Sequence, residues 1–218
     1  MKYNLDPHIH SFYSHDSDSK ISDILKVAIK KKMDIIAISD HNTVEGSKVA
    51  IKESKKYNDI IVVPSIEISS SKGHILGLGV EENIDKGLSP EDTIDKIHDQ
   101  GGIAIIPHPY SFYRSGLFSK VDPDKIKMDA MEVLNAKYFI GYSNKKAKNY
   151  SIKNNIPEIG ASDSHVLKTI GTCYTEINCE LSIDSVLKSI SKSKVKSKGK
   201  GSSYFKNMKN SLLEKINI

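Results

Sequence analysis

The 218-residue chain has no apolar run approaching the roughly 20 residues that a membrane helix requires. Met1-Lys2-Tyr3-Asn4 leads straight into a strand pattern, so no signal peptide is expected. Cysteine is scarce, and Cys173 and Cys179 lack CxxC spacing; they read as free structural thiols of a cytoplasmic protein. No internal repeat is present. Arginine is nearly absent: Arg114 is the single arginine among 32 basic residues. The formal charge of +5 is also not spread over the chain. Residues 192–218 hold eight lysines against Glu214, which leaves the rest slightly acidic, so basicity belongs to a tail.

What is present is an alternation of short apolar runs with helical patterns. Strands are expected over residues 3–8, 34–39, 60–65, 74–80, 103–107, 130–134, 158–161 and 172–177, each rich in Ile and Val or bounded by Gly, Pro, Asp or Ser. Helices are expected over 21–32, 43–57, 90–100, 143–154 and 183–191. Ser22 precedes the apolar face Leu25, Ala28, Ile29, and Ser89-Pro90-Glu91 supplies a cap followed by proline at the first helical position. Such alternation implies parallel strands with right-handed crossovers, and seven or eight units in about 190 residues imply a compact α/β barrel. Residues 1–191 form the expected domain. Residues 192–218 form a lysine-rich tail, partly flexible, with a short amphipathic helix over 204–216.

Six of the eight histidines stand in clusters at the ends of these runs. His8 and His10 are two apart on a strand, so both side chains share a face and can chelate one ion, although a surface pair fits the spacing as well. Asp40-His41 ends the apolar run Ile35-Ile36-Ala37-Ile38-Ser39; Asp40 suits either capping of the next helix or orientation and ligation at a metal. Glu67 follows Val62-Val63-Pro64-Ser65-Ile66, and a carboxylate there can bridge two ions. His74 opens the next run. His108 is held between Pro107 and Pro109, and Asp163-Ser164-His165 repeats the two-apart geometry. Imidazole and carboxylate together suit zinc, manganese or iron. His98 lies mid-helix, outside every cluster.

The ordered motifs Asp6-Pro7-His8-Ile9-His10-Ser11, Ile38-Ser39-Asp40-His41-Asn42-Thr43, Glu67-Ile68-Ser69, His74-Ile75-Leu76-Gly77, Pro107-His108-Pro109 and Gly160-Ala161-Ser162-Asp163-Ser164-His165 resemble the polymerase-and-histidinol-phosphatase (PHP) family over residues 3–191. The resemblance implies a distorted (β/α)₇ TIM-like barrel, two or three divalent ions and phosphoester hydrolysis. It implies one ion on His8, His10, Glu67 and Asp163, a second on Glu67, His74 and His108, and a third on His41, His165 and a residue after the first motif. For that last place Ser14-His15-Asp16-Ser17 offers His15 and Asp16, and the six-residue spacing from His10 favours Asp16. Pro7 departs from the family's usual leucine and removes a strand N–H, which only an edge or a bulge tolerates.

The expected chemistry is attack by a hydroxide generated on the ions, whose charge also offsets that of the phosphoryl oxygens. Asp40 and His165 are the candidate acid–base groups, and Arg114 is the candidate phosphate clamp because a guanidinium can bind phosphate bidentately. Tyr110, Phe112 and Tyr113 either stack on a substrate ring or pack on the rim. Glu132 and Asn135 resemble a further motif that supports the site or touches substrate. The expected substrate is a nucleotide-type or short oligonucleotide phosphate. Histidinol phosphate is the alternative within the family, and nucleic-acid binding through the basic tail is the alternative from another class.

Overall fold

A computed structural model describes residues 1–137 and 142–199. Ten strands and five helices follow in the order β1 (Lys2–Ile9), α1 (Ile21–Lys30), β2 (Ile35–Ile38), α2 (Glu45–Ser54), β3 (Ile61–Val63), β4 (Ser65–Ser69), β5 (His74–Leu78), α3 (Pro90–Asp99), β6 (Ile103–Ile106), β7 (Ala130–Asn135), α4 (Tyr142–Asn154), β8 (Glu158–Ala161), β9 (Cys173–Asn178), α5 (Ile183–Ser191) and β10 (Val195–Gly199).

The strands form two five-stranded mixed sheets, ordered β10-β9-β1-β2-β3 and β4-β5-β6-β7-β8. This corrects the expected (β/α)₇ barrel. Only β1–β2, β2–β3, β6–β7 and β7–β8 pair in parallel; β1–β9, β9–β10, β4–β5 and β5–β6 are antiparallel. The reason is local. No helix separates β3, β4 and β5: the chain passes from one sheet to the other at Pro64, which has no N–H with which to continue a ladder, and β4 then turns straight back into β5. Two isolated bridges join the sheets, Ile9↔Ser164 and His41↔Glu67.

Alternation along the strands explains the layers. In β2, Ile35 and Ala37 belong to an inner apolar cluster with Leu5, Val63, Leu76, Ile105, Ala130 and Ile159, drawn from both sheets. Ile36 and Ile38 face outward onto Ile24, Leu25 and Ala28 of α1 and Ala50 of α2. On the other sheet, Ile66, Ile75, Ala104 and Ile106 pack outward against Ile94 and Ile97 of α3. Strands covered on both faces need apolar residues at every position, which is why they lack polar alternation. Each fully buried Ile or Leu contributes roughly 1.5–3 kcal/mol. Thr175 stitches β9 to β8: its hydroxyl accepts from Gly160 N and donates to Gly160 O, both at 2.9 Å.

Ser89 caps α3 as expected, accepting from Asp92 N at 3.0 Å, with Pro90 opening the helix. Ser22 does not cap α1, whose cap position is Lys20. The lysine-rich run, expected from residue 192 to be partly flexible, contributes β10 over Val195–Gly199, paired with β9. The helix expected over 204–216 lies outside the described residues. No described helix is long and apolar enough to cross a membrane.

Candidate metal centre

A register shift in β1 aims the first two histidines. Leu5 points into the inner layer, whereas Ile9 points outward onto α1. Strict alternation would give both the same direction, but the β1–β2 register shifts between Asp6 and Ile9, around Pro7. A bulge of this kind inverts the parity of the residues beyond it. His8 and His10 therefore turn inward, both fully buried. A second shift, in β7 between Glu132 and Leu134, brings Glu132 and Asn135 together.

Glu67 sits among five imidazoles. Its Oε1 lies 3.0 Å from His74 Nδ1 and 3.1 Å from His108 Nε2. Its Oε2 lies 3.4 Å from His8 Nε2 and His10 Nε2 and 3.1 Å from His41 Nδ1. The sequence suggests a strand end for Glu67; the structure puts it in mid-β4, paired with Leu76 and bridged to His41 through Glu67 N→Asp40 O and Asn42 N→Glu67 O. The bridge between the sheets is thus also what carries β2's histidine to the carboxylate.

Asp163, two residues beyond β8, has φ of +50°, and His108, two residues beyond β6, has φ of +30°; both left-handed conformations are held by the structure around them. Asp163 Oδ1 lies 3.8 Å from His8 Nε2, 3.6 Å from His10 Nε2 and 3.6 Å from His165 Nδ1. Asp16 Oδ2 lies 2.8 Å from His165 Nε2 and 3.5 Å from His41 Nε2, while His15 is exposed, its ring centroid 5.3 Å from that of His41.

The far nitrogens of the histidine pair are held as ligands require. Glu132 Oε1 accepts from His8 Nδ1 at 2.7 Å, and His10 Nδ1 lies 3.1 Å from Ser14 Oγ. Their Nε2 atoms face each other, 3.0 Å apart, and a metal ion bound there would take both lone pairs. Glu132 also accepts from His108 N and from Asn135 Nδ2, which in turn donates to Asp163 Oδ2. Asp40 is buried, and its oxygens accept from Ser11 N and Ser11 Oγ, both at 2.6 Å. It does not cap α2, whose cap position is Val44. It fastens the loop that carries Asp16.

Arg114 and Lys137 bring cations to this centre. Arg114 Nη2 lies 2.5 Å from Asp163 Oδ2, and its buried Nη1 has no hydrogen-bond partner among the described residues. Lys137 Nζ lies 2.7 Å from His165 Nδ1 and 3.7 Å from Asp163 Oδ1. Nothing in the sequence around Lys137 singles it out among the many lysines. Burial opposes the charge on Glu67, yet His8 and His74 hold its carboxyl well below the usual range. Burial likewise opposes the charge on Asp163, which Arg114, His8 and Lys137 hold well below normal. Burial disfavours protonated His8, but Asp163, Glu67 and Glu132 raise it well above the ordinary value. Burial dominates His10, which is held neutral.

The donor set fits divalent ions. Among the described residues three groups offer one ligand atom per residue with all atoms within 4.8 Å: His8, His10 and Glu67; His41, Glu67 and His74; and His10, Asp16, His41 and His165. Two ligands about 2.1 Å from one tetrahedral ion stand about 3.4 Å apart, close to the separations around Glu67 Oε2. Asp163 Oδ1 and His108 Nδ1 are buried without hydrogen-bond partners among the described residues. Such atoms at the edge of a ligand cluster are what an ion or its bound solvent would satisfy.

Residues 141–195 match the model of the PHP-associated family. The chain is 42% identical over 158 residues to the uncharacterised protein MJ1587 of Methanocaldococcus jannaschii, covering 68% of this chain and 91% of that one. Among solved structures it resembles a two-domain protein of Bacteroides vulgatus containing a predicted PHP-like metal-dependent phosphoesterase, with TM-score 0.76 and 17% identity over 91% of this chain; it spans 65% of that one. It also resembles a lesion-specific endonuclease of Pyrococcus furiosus, with TM-score 0.69 and 15% identity, over 88% of this chain and 56% of that one.

Proposed function

This chain belongs to the polymerase-and-histidinol-phosphatase (PHP) family, and we propose that it hydrolyses phosphate esters with two or three divalent ions held where its two sheets meet. One observation carries the reading: the Glu67 carboxylate divides five histidines between its two oxygens, His74 and His108 on one, His8, His10 and His41 on the other. A carboxylate so surrounded suits a bridge between ions. In this reading His8, His10, Glu67 and Asp163 hold one ion and Glu67, His74 and His108 a second. His41, His165 and Asp16 hold a third, with His10 within reach of it. Manganese, zinc and iron all suit these ligands.

When bound, the ions would activate water near neutral pH and offset phosphoryl charge. The chain's own residues do the rest. Arg114 turns from Asp163 to grip the phosphoryl oxygens, with Lys137 as a second, point-like charge. Glu132 and Ser14 keep the Nε2 lone pairs of His8 and His10 directed inward. Asp40, engaged by Ser11, positions the Asp16 loop, so proton transfer through Asp40 is not part of this reading.

The proposed substrate is a nucleotide-type phosphate or the phosphate terminus of a short oligonucleotide. Likeness to a PHP-like phosphoesterase and to a lesion-specific endonuclease supports that class. The test is turnover of nucleoside phosphates, histidinol phosphate and sugar phosphates by purified protein with added Mn²⁺, repeated with His8→Ala/His10→Ala. Activity that survives in the double variant overturns the assignment; preference for histidinol phosphate overturns the substrate class.

A further inference from the structure

Five aromatic side chains are exposed among the described residues: Phe12, Tyr13, Phe112, Tyr113 and Tyr142. Scattered exposed apolar residues need no explanation, but these are not scattered. Phe12 and Tyr13 stand directly after His10 and Ser11, in the loop that ends at Asp16. Phe112 and Tyr113 stand between His108 and Arg114. Tyr142 opens α4, which comes after the segment carrying Asn135 and Lys137. Four of the five thus lie on loops that leave β1 and β6, the strands whose ends carry His10 and His108.

The Phe112–Tyr113 pair is the most exposed, at 85% and 95%. Of the three aromatics that follow His108, Tyr110 packs against Phe118 on the body of the protein, whereas these two rings do not. Their centroids are 5.9 Å apart and their planes meet at 80°, an edge-to-face corner whose rings stay largely in solvent. Folding alone leaves two adjacent aromatics uncovered at a cost in apolar exposure, which a flat partner would offset. Arg114 is the next residue and reaches Asp163 in the centre. Two residues of extended chain span at most about 7 Å. That is the order of the separation between the 5′-phosphate of a nucleotide and its base.

Resting on the phosphoesterase reading, we propose that Phe112 and Tyr113 are the specificity-determining residues of the site, stacking the base of a nucleoside phosphate whose phosphate is gripped by Arg114. Every nucleobase has a π face, so the corner selects for a base without choosing which one. The Phe12–Tyr13 pair, with centroids 4.4 Å apart, offers a second stacking surface beside the Asp16 loop, suited to a neighbouring base in a dinucleotide.

The experiment compares adenosine 5′-monophosphate with ribose 5-phosphate, which carries the same ester and no base, using the full chain with Mn²⁺. Both rings are exposed, so Phe112→Ala/Tyr113→Ala folds as the parent does. The double variant should raise KM for the nucleotide about tenfold, equivalent to about 1.4 kcal/mol. It should leave kcat and the ribose 5-phosphate constants unchanged, and Phe112→Tyr/Tyr113→Phe should behave as the parent. An unchanged nucleotide KM, or an equal rise for both esters, overturns the proposal. NMR saturation transfer from the protein to the adenine protons gives a readout independent of turnover. If the parent hydrolyses neither ester, the phosphoesterase reading fails, while saturation transfer lost in the alanine variant still upholds the base corner and its absence from the parent overturns it.

Discussion

His8 Nδ1 lies 2.7 Å from Glu132 Oε1, with both side chains fully buried. That contact holds the His8 ring in orientation from behind. Glu132 accepts two further hydrogen bonds, from His108 N at 2.8 Å and from Asn135 Nδ2 at 2.7 Å. Glutamine has one acceptor oxygen and an NH₂ that would face a donor. Glu132→Gln should therefore weaken Mn²⁺ affinity about 10- to 100-fold, the usual cost of losing a partner behind a ligand. It should also lower stability by about 1–3 kcal/mol. Calorimetric Mn²⁺ titration and urea unfolding read the two effects, and an unchanged affinity would count against the metal role of His8.

Gly46 has the opposite dependence, on space. A Cβ there would overlap Asp40 Oδ2 and come within 2.7 Å of Ser11 Oγ. Gly46→Ala should break the Asp40–Ser11 clamp and release the loop bearing Asp16. Stability should fall by about 1–3 kcal/mol, as overpacked cores do. Turnover should fall as well, without any change to a ligand. Thermal unfolding with parallel kinetics checks this, and a variant as stable as the parent would show that the clamp is dispensable.

Asp6 governs a pH dependence. Its oxygens accept from Ser162 N at 3.0 Å and Gly171 N at 2.8 Å, but burial pushes its carboxyl up to about 6 from an ordinary 3.8. The folded protein thus holds this proton more tightly than the unfolded chain. The associated stability is present in full below about pH 4 and is lost as the pH rises to about 6, a change of about 3 kcal/mol. Asp6→Asn cannot titrate. The stability of the parent relative to this variant should fall by about that amount between pH 4 and pH 7, measured by urea unfolding across the range; a flat difference would contradict the burial argument.

The strands and helices were largely readable in the sequence because their apolar periods are strong, and the ligand types because imidazole and carboxylate recur at run ends. How the runs pair was not. Pro64 and the short reversal between β4 and β5 are local events that decide parallel against antiparallel, and strand-length averages do not register them. Pro7 was visible as an irregularity, yet its consequence, the inversion that turns His8 and His10 inward, depends on register against β2. Lys137 and Ser14 carry no local signal, since one is a lysine among many and the other a serine in a polar loop. Only the folding of the β1 and β7 exits toward each other makes them neighbours of the histidines. The β10 strand was hidden in a low-complexity lysine run whose pairing partner, β9, supplies the order.

The most direct measurement is the stoichiometry of Mn²⁺ bound by metal-stripped protein, read by calorimetric titration with elemental analysis of the loaded sample. The account predicts two or three equivalents for the parent and the loss of at least one in His8→Ala/His10→Ala. A parent that binds no Mn²⁺, Zn²⁺ or Fe²⁺, or a double variant that binds as many ions as the parent, would contradict it.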